Sequence, residues 1–180
     1  AAWADLAIGV HNNIGPWFGG FVVVMIVLWI RHNIPTAADF AWLKSGGGII
    51  GNAHPDAGFA NGGEKVWFWF ICTVGLVVIA SGLVMNFPNW GFSRDEMQLA
   101  NLVHGTCSIA WVALWFGHAY IGSIGSEGSL EAMTTGYVDE NWAKQHHNLW
   151  VNKLEETTVN SANGGASRAP DETLAKGSAA

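Results

Sequence analysis

The chain has 180 residues, the size of one domain. Half of them are hydrophobic and only 12% are charged, against about 25% in an ordinary soluble domain. Eight Lys and Arg against fourteen Asp and Glu leave a net charge of −6, which excludes the basic surface of a nucleic-acid binder.

The opening "AAWADLAIGV" carries neither a Met nor a basic run, so no cleavable signal peptide is read there. Three uncharged segments follow, each long enough to cross a bilayer as a helix of about 20 residues. The first is Ile8–Ile30, the second Val66–Asn86 and the third Asn101–Gly122. An all-α membrane bundle is therefore expected. The alternative, buried core helices of a soluble protein, would leave too little polar surface for so short a chain.

Lys and Arg set the orientation. Arg31, Lys44 and Lys65 lie between the first and second spans. Lys144, Lys153, Arg168 and Lys176 follow the third, and only Arg94 separates the second from the third. The first connection and the C-terminus are thus expected in the cytoplasm. Trp29, Trp67, Trp69 and Trp90 fall near span ends, as an interfacial belt requires. After the spans, "DENWAKQHHNLWVNKLEE" reads as a short amphipathic cytoplasmic helix. Residues 1–155 are expected as the membrane unit. Residues 156–180 are expected as a flexible tail, small and polar from Ser161 onward. Cys72 and Cys107 sit in apolar runs with no CxxC, so they read as buried thiols and not as ligands of zinc or an iron–sulfur cluster.

An ionisable side chain inside a membrane is a functional hypothesis by default. His104 and His118 are fourteen residues apart. That is 40° short of four full helical turns and about 21 Å along the axis. Both imidazoles share one face, one near each side of the hydrocarbon. Two stacked haems would fit, since imidazole is a usual axial ligand of haem iron. His11 lies three residues into the first span and His104 three into the third, both at the outer end, so they match in depth as an outer pair. The bland alternative is packing histidines with satisfied hydrogen bonds. His118 finds no partner by depth. His32 lies too deep and reads as interfacial, and His54, His146 and His147 are in polar segments. Gly15, Gly19, Gly20 and Gly105 either admit a flat macrocycle or pack helices closely.

The fourteen-residue spacing in "LVHGTCSIAWVALWFGH", with "RHNIP", "NGGEK" and "WAKQHHNLW", resembles the gamma subunit of respiratory formate dehydrogenase, a di-haem cytochrome b. The resemblance covers roughly residues 8 to 155. It implies four transmembrane helices and two bis-histidine b haems in a bacterial inner membrane. His11 and His104 would hold the periplasmic-side haem, and His118 the cytoplasmic-side haem. The family partner of His118 lies in a helix ahead of the first span, so the chain is expected to be N-terminally incomplete. The resemblance also implies a pocket for menaquinone or ubiquinone beside the inner haem, with Asn61, Gly63, Lys65 and His118. Read without it, "ANGGEK" is a plain helix-start loop. Glu64 stands where the family usually has Gln, which bears on proton supply. Electrons would come from a molybdenum or tungsten subunit through an iron–sulfur subunit. The rivals are the b subunit of a nickel–iron hydrogenase or related quinone-linked reductase, and a haem-free membrane anchor.

Overall fold

The computed structural model describes residues 2–47 and 54–166, and these are helical with no strand among them. Three helices are long and apolar enough to cross a membrane. α1 is Ala2–Trp29, α3 is Gly62–Asn86 and α4 is Arg94–Tyr120. The short α2, Ala37–Lys44, lies between the first two. α5 (Ser129–Thr135), α6 (Glu140–His146) and α7 (Asn148–Ala166) follow α4. α7 thus runs past Ser161. Residues 167–180 of the expected tail, with Arg168 and Lys176, lie outside the described residues.

The long helices start earlier than their apolar runs. α4 begins at Arg94 because Ser93 caps it. The Ser93 Oγ accepts the Glu96 N–H, and the Glu96 carboxylate accepts the Ser93 N–H in return. Asn61 and Glu64 form the same reciprocal box at the start of α3. α1 ends in a 3-10 turn, Ile30–His32. There the buried Asn33 donates its amide to the Trp29 carbonyl, and its own carbonyl accepts the Trp69 indole N–H. The "RHNIP" stretch therefore pins the end of α1 to α3.

α3 is the central helix, with α1 and α4 packed on it. The contacts run through small residues. A Cβ on Gly19 of α1 would lie 3.1 Å from Ile79, and one on Gly75 would lie 3.6 Å from Trp111. Large side chains face outward instead. Trp17, Phe21, Leu102 and Ile109 are each at least two-thirds exposed. In a bilayer those groups meet lipid, and close backbone approach holds the helices together.

α2 docks on the start of α3 through a buried ion pair. Lys65 Nζ donates to Asp39 Oδ2 at 2.7 Å, and both side chains are less than one-tenth exposed. The same oxygen accepts the Thr36 N–H at 2.6 Å and the Thr36 hydroxyl at 2.7 Å. Trp42 closes the contact over two glycines. A Cβ on Gly62 would come within 2.8 Å of the Asp39 carbonyl oxygen, and one on Gly63 within 2.9 Å of the Trp42 ring.

Burial alone would raise the Asp39 pKa. The hydrogen bonds from Lys65 and Thr36 outweigh it and hold the carboxyl below its ordinary value of 3.8. A depressed carboxyl stabilises the fold above its unfolded pKa, and that contribution is lost as pH falls through the lowered value. The α2 dock should therefore be intact at pH 5 to 7 and loosen only below 3.8, followed by fluorescence of Trp42 in a single-reporter variant. Lys65→Ala leaves a buried carboxylate without its cation and should cost about 3 kcal/mol, while Asp39→Asn with Lys65→Met should cost less in the same unfolding assay.

Candidate functional site

Nine residues after the start of α1 and ten after the start of α4, His11 and His104 face each other. Their ring centroids are 6.0 Å apart and their planes cross at 78°. A metal–imidazole bond is about 2 Å, so two imidazoles on opposite sides of one ion have centroids roughly 6 Å apart. The pair meets that requirement.

Helix α3 fixes His104 from behind. Its Nδ1 lies 2.9 Å from the Val78 carbonyl oxygen. A carbonyl only accepts, so Nδ1 carries the hydrogen and Nε2 keeps its lone pair. Ser81 Oγ stands 3.2 Å from the same Nδ1 and donates its own proton to the Val77 carbonyl at 2.7 Å. Metal-ligating histidines are held in this way, by a second ring N–H given to a backbone carbonyl. Gly82 makes the approach possible, since a Cβ there would lie 3.0 Å from His104 Cε1.

His11 is held through its backbone. Pro16 lies inside α1 and has no N–H to give to the carbonyl four residues earlier. That carbonyl, on Asn12, accepts the Asn86 side-chain amide of α3 at 3.2 Å. A proline that would weaken an isolated helix thus creates a cross-helix tie next to His11.

The glycines divide between the two roles expected of them. Gly19 packs against Ile79, whereas a Cβ on Gly15, Gly20 or Gly105 would meet nothing within 4 Å. Of these, Gly15 lies one turn from His11 on the same face, and its open flank fits a flat macrocycle beside the imidazole pair. The donor set, the ring separation and the free Nε2 of His104 all suit the axial ligation of one haem.

His118 lies fourteen residues further along α4, about 21 Å deeper. Among the described residues, the ring that faces it is Trp67 of α3. The two planes stack at 4.5 Å and 6°. His32 is engaged elsewhere. It accepts from Arg31 Nε at 2.8 Å and meets the Phe59 ring edge-on.

The start of α3 gathers the remaining expected site residues. Asn61 Oδ1 accepts the Glu64 N–H at 2.9 Å, and Glu64 Oε2 accepts the Asn61 N–H at 2.8 Å. Glu64 is therefore a capping carboxylate. Gly63 lies under the Trp42 ring, and the Lys65 ammonium is held by Asp39. Asn61, Gly63 and Lys65 stand together here, and Trp67, two residues on, brings His118 to the same helix end. Cys72 is buried, Cys107 is half-buried, and both are free thiols.

Val78, Ser81 and Gly82 were not singled out by sequence. A serine–glycine pair in an otherwise apolar helix is the signal that would have found them.

The family described as prokaryotic cytochrome b561 matches residues 1–136. The formate dehydrogenase, nitrate-inducible, cytochrome b556(Fdn) subunit of Escherichia coli (strain K12) is 30% identical over 150 residues, 78% of this chain and 69% of that protein. The formate dehydrogenase cytochrome b556(fdo) subunit of the same strain is 28% identical over 162 residues, 88% of this chain and 76% of that one. The formate dehydrogenase cytochrome b556 subunit of Haemophilus influenzae is 29% identical over 160 residues, 82% and 65% of the two chains.

Support residues behind a metal-bound histidine typically contribute 10- to 100-fold in metal affinity. Gly82→Ala should therefore lower haem retention between His11 and His104 by roughly tenfold, and Ser81→Ala by less, measured as haem bound per purified chain. Retention equal to the parent in Gly82→Ala would remove the role given to α3.

Proposed function

The chain belongs to the prokaryotic cytochrome b561 family, and on that premise we propose that it is the membrane cytochrome b subunit of a formate dehydrogenase. The observation that carries the reading is the His11–His104 pair, 6.0 Å apart with the Nδ1 of His104 anchored on Val78. Membership makes the chain a membrane protein with haem b. The names of the relatives favour formate over hydrogen as the ultimate donor.

In this proposal residues 1–155 form the haem-carrying unit of a bacterial inner-membrane complex, with the C-terminus in the cytoplasm. An iron–sulfur subunit and a molybdenum- or tungsten-containing subunit supply the electrons. Haem b bound at two depths supplies one-electron carriage across the bilayer toward menaquinone or ubiquinone. His11 and His104 would hold the outer group, His104 through the Nε2 that its bond to Val78 leaves free. His118 serves the inner group, and the parallel face of Trp67 fixes its ring orientation. Val78 keeps His104 in the tautomer that ligates.

Quinone would bind at the inner end of α3, next to His118. Asn61 offers an amide there, and the missing side chain of Gly63 lets the Trp42 ring pack against the helix start. Lys65 acts from behind, because Asp39 holds its ammonium. Its part is to fix the helix start. Protons for quinol would enter from the cytoplasm, so turnover would build a membrane potential.

His104→Ala should abolish the outer haem and leave the inner one, halving the reduced-minus-oxidised b-type difference spectrum. His118→Ala should remove the other half. Full haem content in His104→Ala would refute the ligand assignment, and absence of any b-type signal in the parent protein would refute the whole reading.

A further inference from the structure

The segment "WAKQHHNLW" does no work in the reading above, yet it makes the longest-range polar contacts of the described residues. The turn between α6 and α7 grips the loop ahead of α3, some 90 residues earlier. Asn148 Oδ1 accepts the Ala57 N–H at 3.0 Å. The Leu149 N–H donates to the Ala57 carbonyl at 3.1 Å. His147 Nδ1 lies 2.8 Å from the Gly58 carbonyl oxygen, so it donates there. Asn148 Nδ2 donates to Asp56 Oδ1 at 2.6 Å. Beside these bonds, the Phe59 ring meets Trp150 edge-on at 5.9 Å.

The grip is complementary on both sides. A helix start has backbone N–H groups without intrahelical partners, and a buried loop has carbonyls without ladder partners. Here Leu149, in the first turn of α7, meets the carbonyl of Ala57, a residue only 1% exposed. His147 is itself 7% exposed. Both peptide groups of Ala57 and the carbonyl of Gly58 are therefore fixed from outside the loop. Three residues after Gly58, the chain reaches Asn61, the cap of α3.

We infer that the α6–α7 turn is the positioning element of the quinone pocket: His147 and Asn148 hold residues 56–58 so that Asn61 and the start of α3 stand in binding register. The inference rests on the quinone site proposed above. His147 and Asn148 touch no reacting group in it and act only through the loop.

The test uses the complete complex in nanodiscs. Hydrogen–deuterium exchange of peptides over residues 54–61 reports the grip, and KM for a soluble quinone analogue reports the pocket. His147→Ala should raise exchange over 54–61 and raise KM about five- to tenfold, in keeping with loss of a buried hydrogen bond, with b-type haem content unchanged. His147→Asn places an amide N–H where Nδ1 donates and should restore both readouts. Asn148→Asp alone sets a carboxylate against Asp56 and should raise KM. Adding Asp56→Asn restores a donor–acceptor pair and should bring KM back. Exchange that rises with KM unchanged, or swaps that fail to rescue, would overturn the positioning role. A parent complex that reduces no quinone would instead overturn the reading beneath it, and exchange would still show whether the grip exists.

Discussion

An imidazole in hydrocarbon has two ring nitrogens to satisfy and no water to do it. His104 resolves this by giving Nδ1–H to the Val78 carbonyl of α3, 2.9 Å away. Much follows from that bond. It fixes the tautomer, leaves Nε2 with its lone pair and requires α3 and α4 to approach closely. Close approach in turn requires Gly82, where a side chain would strike the ring. Unsatisfied polar groups are costly in lipid, so the bond that orients the imidazole also helps hold the helices together.

The same logic of freed and recaptured backbone groups recurs elsewhere. Pro16 strips Asn12 of its helical donor, and Asn86 replaces it from α3. Asn33 ties the end of α1 to Trp69. The α6–α7 turn closes the loop before α3 through Ala57 and Gly58. Apolar packing is sparse by comparison. The few buried hydrophobic residues include Phe68 and Cys72 on α3, while most large side chains face outward. The outer surface is left to lipid, and specificity lies in a small number of polar contacts that converge on α3.

Three spans were legible in the sequence, because charge-free length determines them, and the structure brings the rings of His11 and His104 to 6.0 Å. The boundaries were less so. α1 starts six residues before the apolar run at Ile8, and α4 starts seven before Asn101. Both starts moved by nearly the same amount, which leaves His11 and His104 at nearly equal distances into their helices. Capping explains the shift at α4, where Ser93 and Glu96 extend a helix beyond its apolar stretch. The Lys65–Asp39 pair was not legible, since its members are 26 residues apart and only the docking of α2 joins them. Nor was the role of Gly63, which is set by Trp42 overhead. His147 and Asn148 lay beyond reach for the same reason, as their partners are about 90 residues away. Periodicity reports a helix face and says nothing of which loop lies against it.

The central claim is that His11 and His104 clamp one haem iron. Electron paramagnetic resonance of the oxidised protein in membranes tests it most directly. A low-spin ferric signal is expected, with the strong anisotropy of two nearly perpendicular imidazoles, given the 78° between the rings. It should vanish in His11→Ala. The same signal persisting unchanged in that variant would contradict the claim.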